Sequence, residues 1–223
     1  MLTITRLSKT FTLHTLHGRV IQGFPEVSVS VGRGRALGLA GQSGAGKSSV
    51  LKCIYRAYLP SSGAIIFQSK TLGPIDLVRA SDHQMIMLRG TEIGYVTQFL
   101  SVVPRVSALD TVAEPLLSLG VSQKEARRQA GLLLERLFIP ANLYDACPVT
   151  FSGGEQQRVN FAAGIIAKPR LLLLDEPTAS LYEKTRRAVI EILLELKAEE
   201  ITMIAIFHDR RIMEAVADEI YPM

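Results

Sequence analysis

The chain has 223 residues, 48% of them apolar and 21% charged, with a net charge of +4 and no tryptophan. That length supports one good-sized core, alone or with a small appended lobe, and the balance is that of an ordinary globular protein. No run approaches the ~18 apolar residues of a membrane span. The basic residues are scattered or paired (Arg127/Arg128, Arg186/Arg187, Arg210/Arg211). That pattern reads as solvated helix faces and argues against a nucleic-acid partner.

In chain order, MLTITRLSKTF alternates apolar and polar residues and lacks the apolar centre of a signal peptide. A cytoplasmic location is therefore expected, with membrane contact only indirect, through a partner. LTIT and EVSVSV (26–31) read as half-buried strands. Between them, His14 and His17 have i, i+3 spacing, but with no carboxylate or cysteine close by they read as a surface turn rather than a metal site. RALGLA (35–40) is a nearly continuous apolar strand that runs into a glycine-rich loop. SSVLKCIYRAY (48–58) has helical spacing, with Val50, Leu51, Ile54 and Tyr58 on one side. GAIIF and EIGYVT (92–97) are two further strands.

From about residue 100 to 167 the texture becomes helical, in ALDTVAEPLLSLG, SQKEARRQAGLLLERLF and GEQQRVNFAAGIIA. RLLLLD and ITMIAIF are short apolar runs typical of buried parallel strands, with a helix at about 183–197 between them. The order predicts an α/β fold in one domain, residues 1–223. A mostly parallel sheet core with an N-terminal antiparallel β lobe would occupy about 1–99 and 166–223, with a helical lobe inserted at about 100–165. Cys53 and Cys147 have no metal-type spacing and are expected as reduced thiols.

Gly41-Gln-Ser-Gly-Ala-Gly-Lys47-Ser48 fits G-x-x-x-x-G-K-[ST] between a predicted strand and a predicted helix. Glycines there turn backbone N–H groups onto phosphate oxygens, and the helix N-terminus adds its positive dipole end. Gly41, Ser43, Gly44, Ala45, Gly46, Lys47, Ser48 and Ser49 are the nucleotide-binding candidates. Lys47 can reach the β- and γ-phosphates, and the Ser48 hydroxyl can ligate Mg²⁺. LLLLDE (171–176) ends a buried strand in two carboxylates, which is costly unless cations or polar groups satisfy them. Asp175 is placed to hold Mg²⁺ or its water shell. Glu176 must point elsewhere and can polarise a water for in-line attack. Gln98, a catalytic and metal-site candidate, and His208, a candidate γ-phosphate sensor, also follow the carboxyl ends of predicted strands, where ligands bind in open parallel sheets. Phe11 is placed to be core or to stack on an adenine ring.

In that order, GQSGAGKS, Gln98, FSGGEQQR, LLLLDEP and His208 resemble the ATP-binding cassette (ABC) ATPases along essentially the whole chain. The resemblance implies an ATPase using ATP and Mg²⁺, with Lys47, Gln98, Glu176 and His208 in the catalytic set. It also implies a homodimer formed head to tail on ATP binding, in which Ser152, Gly153 and Gly154 cover the nucleotide held by the partner's phosphate loop. The stretches SKTFTLH, YVTQFLSVVPRVSALDTVAEPLL, FSGGEQQRVN and IFHD look like the L-type ATP-binding proteins of carbon–phosphorus lyase systems. That likeness implies partners among the subunits of a phosphonate-degrading lyase complex. Two other readings are a transporter's nucleotide-binding subunit, of lipoprotein-release or phosphonate-uptake type, docking a membrane subunit at 100–120, and an ATP-gated assembly subunit with little hydrolysis. The chain departs from the family at Tyr182, where Asp is usual, and at Ala163, where Arg is usual.

Overall fold

The computed structural model describes residues 1–13, 19–98 and 103–223; His14 and His17 lie outside them. Strand β1 (Leu2–Leu13) pairs antiparallel with β2 (Arg19–Val31), from Leu2 opposite Val31 onward. On its other side it pairs with β4 (Ser62–Ser69), which β5 (Gly73–Asp76) extends, giving the order β2-β1-β4-β5. Strict alternation sends Leu2, Ile4, Val27 and Val31 to one buried face.

The second sheet is parallel throughout, in the order β6 (Ile93–Val96), β7 (Leu171–Asp175), β8 (Thr202–Ile206), β3 (Ala36–Ala40) and β9 (Glu219–Pro222). Its central strands are covered on both faces, which is why LLLLD and TMIAI read as unbroken apolar runs. Their alternate residues feed two cores. Leu171, Leu173, Ile204 and Ile206 pack with the antiparallel sheet and α1 (Lys47–Ile54) and α2 (Asp82–Thr91). Leu172, Leu174, Met203 and Ala205 pack with α3 (Ala108–Ser118), α4 (Gln123–Arg136), α5 (Gly153–Ile165), α6 (Glu183–Ala198) and α7 (Arg210–Val216).

The predicted helix over 48–58 is shorter than its periodicity suggests. It ends at Ile54, capped by Tyr55, and Arg56 turns the chain at φ 58°. Tyr58 is therefore not on the helix face. It stands edge-on to Phe11, with ring centroids 5.4 Å apart. Helix α2 and strands β5 and β9 had no counterpart in the sequence reading. Helix α2 opens on a capping box, Ser81 with Gln84, a legible signal in SDHQ. β5 and β9 are four-residue edge strands, each containing proline, with no apolar alternation to reveal them. Most of the paired arginines meet carboxylates: Arg127 meets Asp110 and Asp145, Arg128 meets Glu125, Arg186 and Arg187 meet Glu183, and Arg210 meets Glu214.

Candidate functional site

At the carboxyl ends of β3, β7 and β8 lies a cavity of about 900 Å³. Its floor is the 41–48 loop. Gly44 and Gly46 adopt φ 85° and 92°, conformations that side-chain-bearing residues rarely take. A Cβ on Gly46 would also lie 2.0 Å from the Gly23 carbonyl oxygen, so glycine is needed there twice over. The loop leads straight into α1, whose first N–H groups have no partner within the helix and open toward the cavity. Ala45 lies within the turn, its N–H bonded to the Gln42 carbonyl at 3.2 Å. Lys47 Nζ arches back and donates to the carbonyls of Gly41 and Gln42, both at 2.8 Å. Those bonds park the cation over the loop, where phosphate oxygens can replace the carbonyls.

Gly41, Ser43, Gly44, Gly46, Lys47, Ser48 and Ser49 all line this cavity, with Phe11, Gln98, Glu176 and His208. Asp175 is behind the wall, only 3% exposed. Its Oδ1 accepts from the Ser48 hydroxyl at 2.9 Å and its Oδ2 from the Tyr95 hydroxyl at 3.3 Å. Burial raises the Tyr95 pKa, and the Asp175 charge raises it further, so the phenol keeps its proton and remains a donor. The sequence reading did not include Tyr95; as the third residue of a short apolar strand it carries no signal until β6 pairs with β7.

The Ser48 hydroxyl and the Asp175 carboxylate bring hard oxygen donors together, and the Gln98 amide lines the same space. Among the described residues no group of three or more His, Cys, Asp and Glu gathers to cage a metal. This donor set suits Mg²⁺, which keeps water and phosphate oxygens as most of its ligands.

Glu176 follows Asp175 at φ 53°, an uncommon region for a residue with a Cβ. That reversal sends neighbouring carboxylates apart: Asp175 inward to Ser48, Glu176 to the cavity wall. The Glu176 N–H donates to the Ile206 carbonyl at 3.0 Å.

Ser152, Gly153 and Gly154 do not line the cavity. Ser152 is the N-cap of α5 and forms a capping box with Glu155. Hydrogen bonds from the Ser152 hydroxyl and N–H hold the Glu155 carboxyl below the usual carboxylate range. Ser152 and Gly153 are exposed. A Cβ on Gly153 would meet nothing within 4 Å, whereas one on Gly154 would lie 3.0 Å from the Ser180 carbonyl oxygen. Tyr182 is 89% exposed and occupies the N-cap of α6 without a side-chain cap bond. Ala163 borders a second hollow of about 270 Å³, with Tyr95, Glu114, Pro115 and Asn160.

A model of the family described as "ABC transporter" matches residues 24–179. The lipoprotein-releasing system ATP-binding protein LolD of Legionella pneumophila (strain Paris) is 34% identical over 215 residues, covering 96% of this chain and 91% of the relative. The glutamine transport ATP-binding protein GlnQ of Geobacillus stearothermophilus is 34% identical over 199 residues, covering 87% and 78%. Among solved structures, the dimeric ATP-binding cassette MJ0796 in a post-hydrolysis state bound to ADP and Pi superposes with a TM-score of 0.90 at 25% identity. It covers all of this chain and 94% of that one.

Proposed function

The chain belongs to the ABC transporter family of ATP-binding proteins, and from that premise we propose that it works as a head-to-tail homodimer that closes on two MgATP and opens on hydrolysis. The reaction is ATP hydrolysis with Mg²⁺. The observation that carries the dimer reading is the separation of the two glycine loops. The 41–48 loop, Glu176, Gln98 and His208 line one cavity, while Ser152 and Gly153 are exposed at a helix start, where a Cβ on Gly153 would meet nothing within 4 Å. An outward N-terminus of this kind fits a phosphate presented by a second copy.

In the proposed cycle Lys47 leaves the Gly41 and Gln42 carbonyls for the β- and γ-phosphates, and the loop N–H groups hold the remaining oxygens. Ser48, Gln98 and Asp175 would hold Mg²⁺, which when bound neutralises charge building between the β- and γ-phosphates. Glu176 accepts the proton of the attacking water, His208 donates to the γ-phosphate, and Phe11 stacks on the base.

For the partner, the carbon–phosphorus lyase reading rests on SKTFTLH, YVTQFLSVVPRVSALDTVAEPLL, FSGGEQQRVN and IFHD, parts of which (His14 and residues 99–102) lie outside the described residues. The rival transporter reading draws on the names of the relatives and on the hollow beside Glu114, Pro115 and Ala163, where a membrane subunit could seat. Either way the chain acts from the cytoplasmic side.

Two experiments test this. Glu176→Gln should bind MgATP and run as a dimer on size exclusion, while Lys47→Ala should lose nucleotide affinity; a Glu176→Gln chain that stays monomeric in MgATP overturns the dimer. Affinity purification from the native host should recover soluble lyase subunits; recovery of a membrane protein in their place selects the transporter.

A further inference from the structure

Helix α5 carries two buried polar side chains that nothing so far has explained, Gln157 and Asn160, 4% and 8% exposed. Gln157 Nε2 donates to the Glu176 carbonyl oxygen at 2.6 Å, and its Oε1 accepts from the Ser180 N–H at 3.0 Å. One partner can only accept and the other can only donate, so the amide orientation is fixed by chemistry. Both belong to the loop that starts at Glu176. Three residues along the same face, Asn160 Nδ2 donates to the Thr97 carbonyl oxygen at 2.6 Å, one residue before Gln98. A buried amide costs stability unless both ends are paired, and an apolar side chain of the same size would fill the space more cheaply.

The position of these bonds gives the expense a purpose. The Gln157 bond reaches the peptide unit that follows Glu176, whose backbone is already forced to φ 53°. Rotation of that peptide would swing the carboxylate. The N-cap of α5 is Ser152, only about 7.5 Å from Gln157 along the helix axis at five residues' rise.

We propose that Gln157 is a positioning residue: it locks the Glu176 turn to helix α5, so that the seating of Ser152–Gly154 on the partner's nucleotide sets the carboxylate in the chain's own site. This rests on the reading of Glu176 as the base. The coupling runs through one helical turn and a half of rigid backbone and one side chain.

The test is steady-state and single-turnover hydrolysis by Gln157→Met, which keeps the volume and removes both bonds. kcat falls about 10- to 100-fold, as for a small misplacement of a reacting group. KM for ATP stays within about twofold, because the nucleotide is held elsewhere, while the melting temperature falls, because the Glu176 carbonyl and the Ser180 N–H lose their partner. Gln157→Leu, a second apolar substitute that also removes both bonds, shows the same loss of kcat if the Met variant fails to fold. On a Glu176→Gln background, Gln157→Met adds no further loss, since no base is left to position. A kcat within twofold of the parent, or additive losses in the double variant, overturns the proposal. An active Glu176→Gln chain strikes the base reading itself; an inactive one beside an unaffected Gln157→Met strikes only the positioning.

Discussion

The two glycine loops use the same residue for different reasons. In the 41–48 loop, Gly44 and Gly46 supply left-handed backbone, and Gly46 also lets the Gly23 carbonyl come within the reach of a Cβ. At 152–154 neither glycine is among those with positive φ; the backbone is the ordinary start of a capped helix. Gly153 opens onto empty space and Gly154 onto the Ser180 carbonyl. Glycine builds the first loop and clears the approach to the second. A loop that must fold its own cradle needs conformational freedom; a surface of the kind proposed for 152–154, which would admit another molecule, needs only the absence of a side chain.

The largest effect should come from breaking the first loop. Gly46→Ala puts a methyl group onto a backbone carbonyl at a positive φ, so nucleotide affinity should fall more than ~100-fold, about 2.7 kcal/mol. The matched Gly153→Ala should leave monomer affinity and melting temperature unchanged. Equilibrium titration with a fluorescent ATP analogue and thermal denaturation read both; equal losses in the two variants would erase the distinction.

Next comes Ser152→Arg, which fills the cleared approach. Monomeric ATP binding should persist, and the MgATP-driven dimer of a Glu176→Gln background should disappear from size exclusion. An unchanged dimer fraction would mean that the second loop does not act across an interface.

Tyr182 sharpens the comparison at the loop that Gly154 approaches. It fills an N-cap, where Asp is favoured and Tyr offers no cap bond, and it presents an uncharged ring to solvent. Slow turnover is expected, with Tyr182→Asp raising kcat toward ~10²-fold if one preorganised polar group is restored. The same change should stabilise α6 by ~1 kcal/mol through the cap. Phosphate release and thermal melts measure the two effects separately, with nucleotide Kd nearly constant; an equal or faster parent would show that Tyr182 is no defect.

The smallest effect concerns the thiols near each loop. Burial pushes the Cys53 pKa up to about 11, on the helix that follows the first loop. Cys147, shortly before the second, is half-buried. In the native protein at pH 8 a disulfide reagent should label Cys147 first and Cys53 only on unfolding. Rapid labelling of both would mean that α1 is not packed as described.

Much of this molecule was legible in its residues because the signals are local. The strand-to-loop-to-helix pattern at 35–54 and the buried runs LLLLD and TMIAI depend on neighbours in sequence. So do the acids at 175 and 176, which end an unbroken apolar run. The edge strands β5 and β9 were not legible, because an edge needs no apolar alternation. The end of α1 was missed because Tyr58 kept the helical period while Arg56 broke the backbone. Tyr95 and Gln157 matter through what they touch. Asp175 lies 80 residues from Tyr95, and the Glu176 carbonyl 19 residues from Gln157. Sequence determined which groups could bind phosphate and move a proton. Only the tertiary structure decided which backbone carbonyls and carboxylates those buried polar side chains would meet, because a hydrogen bond depends on position in space and not on order along the chain.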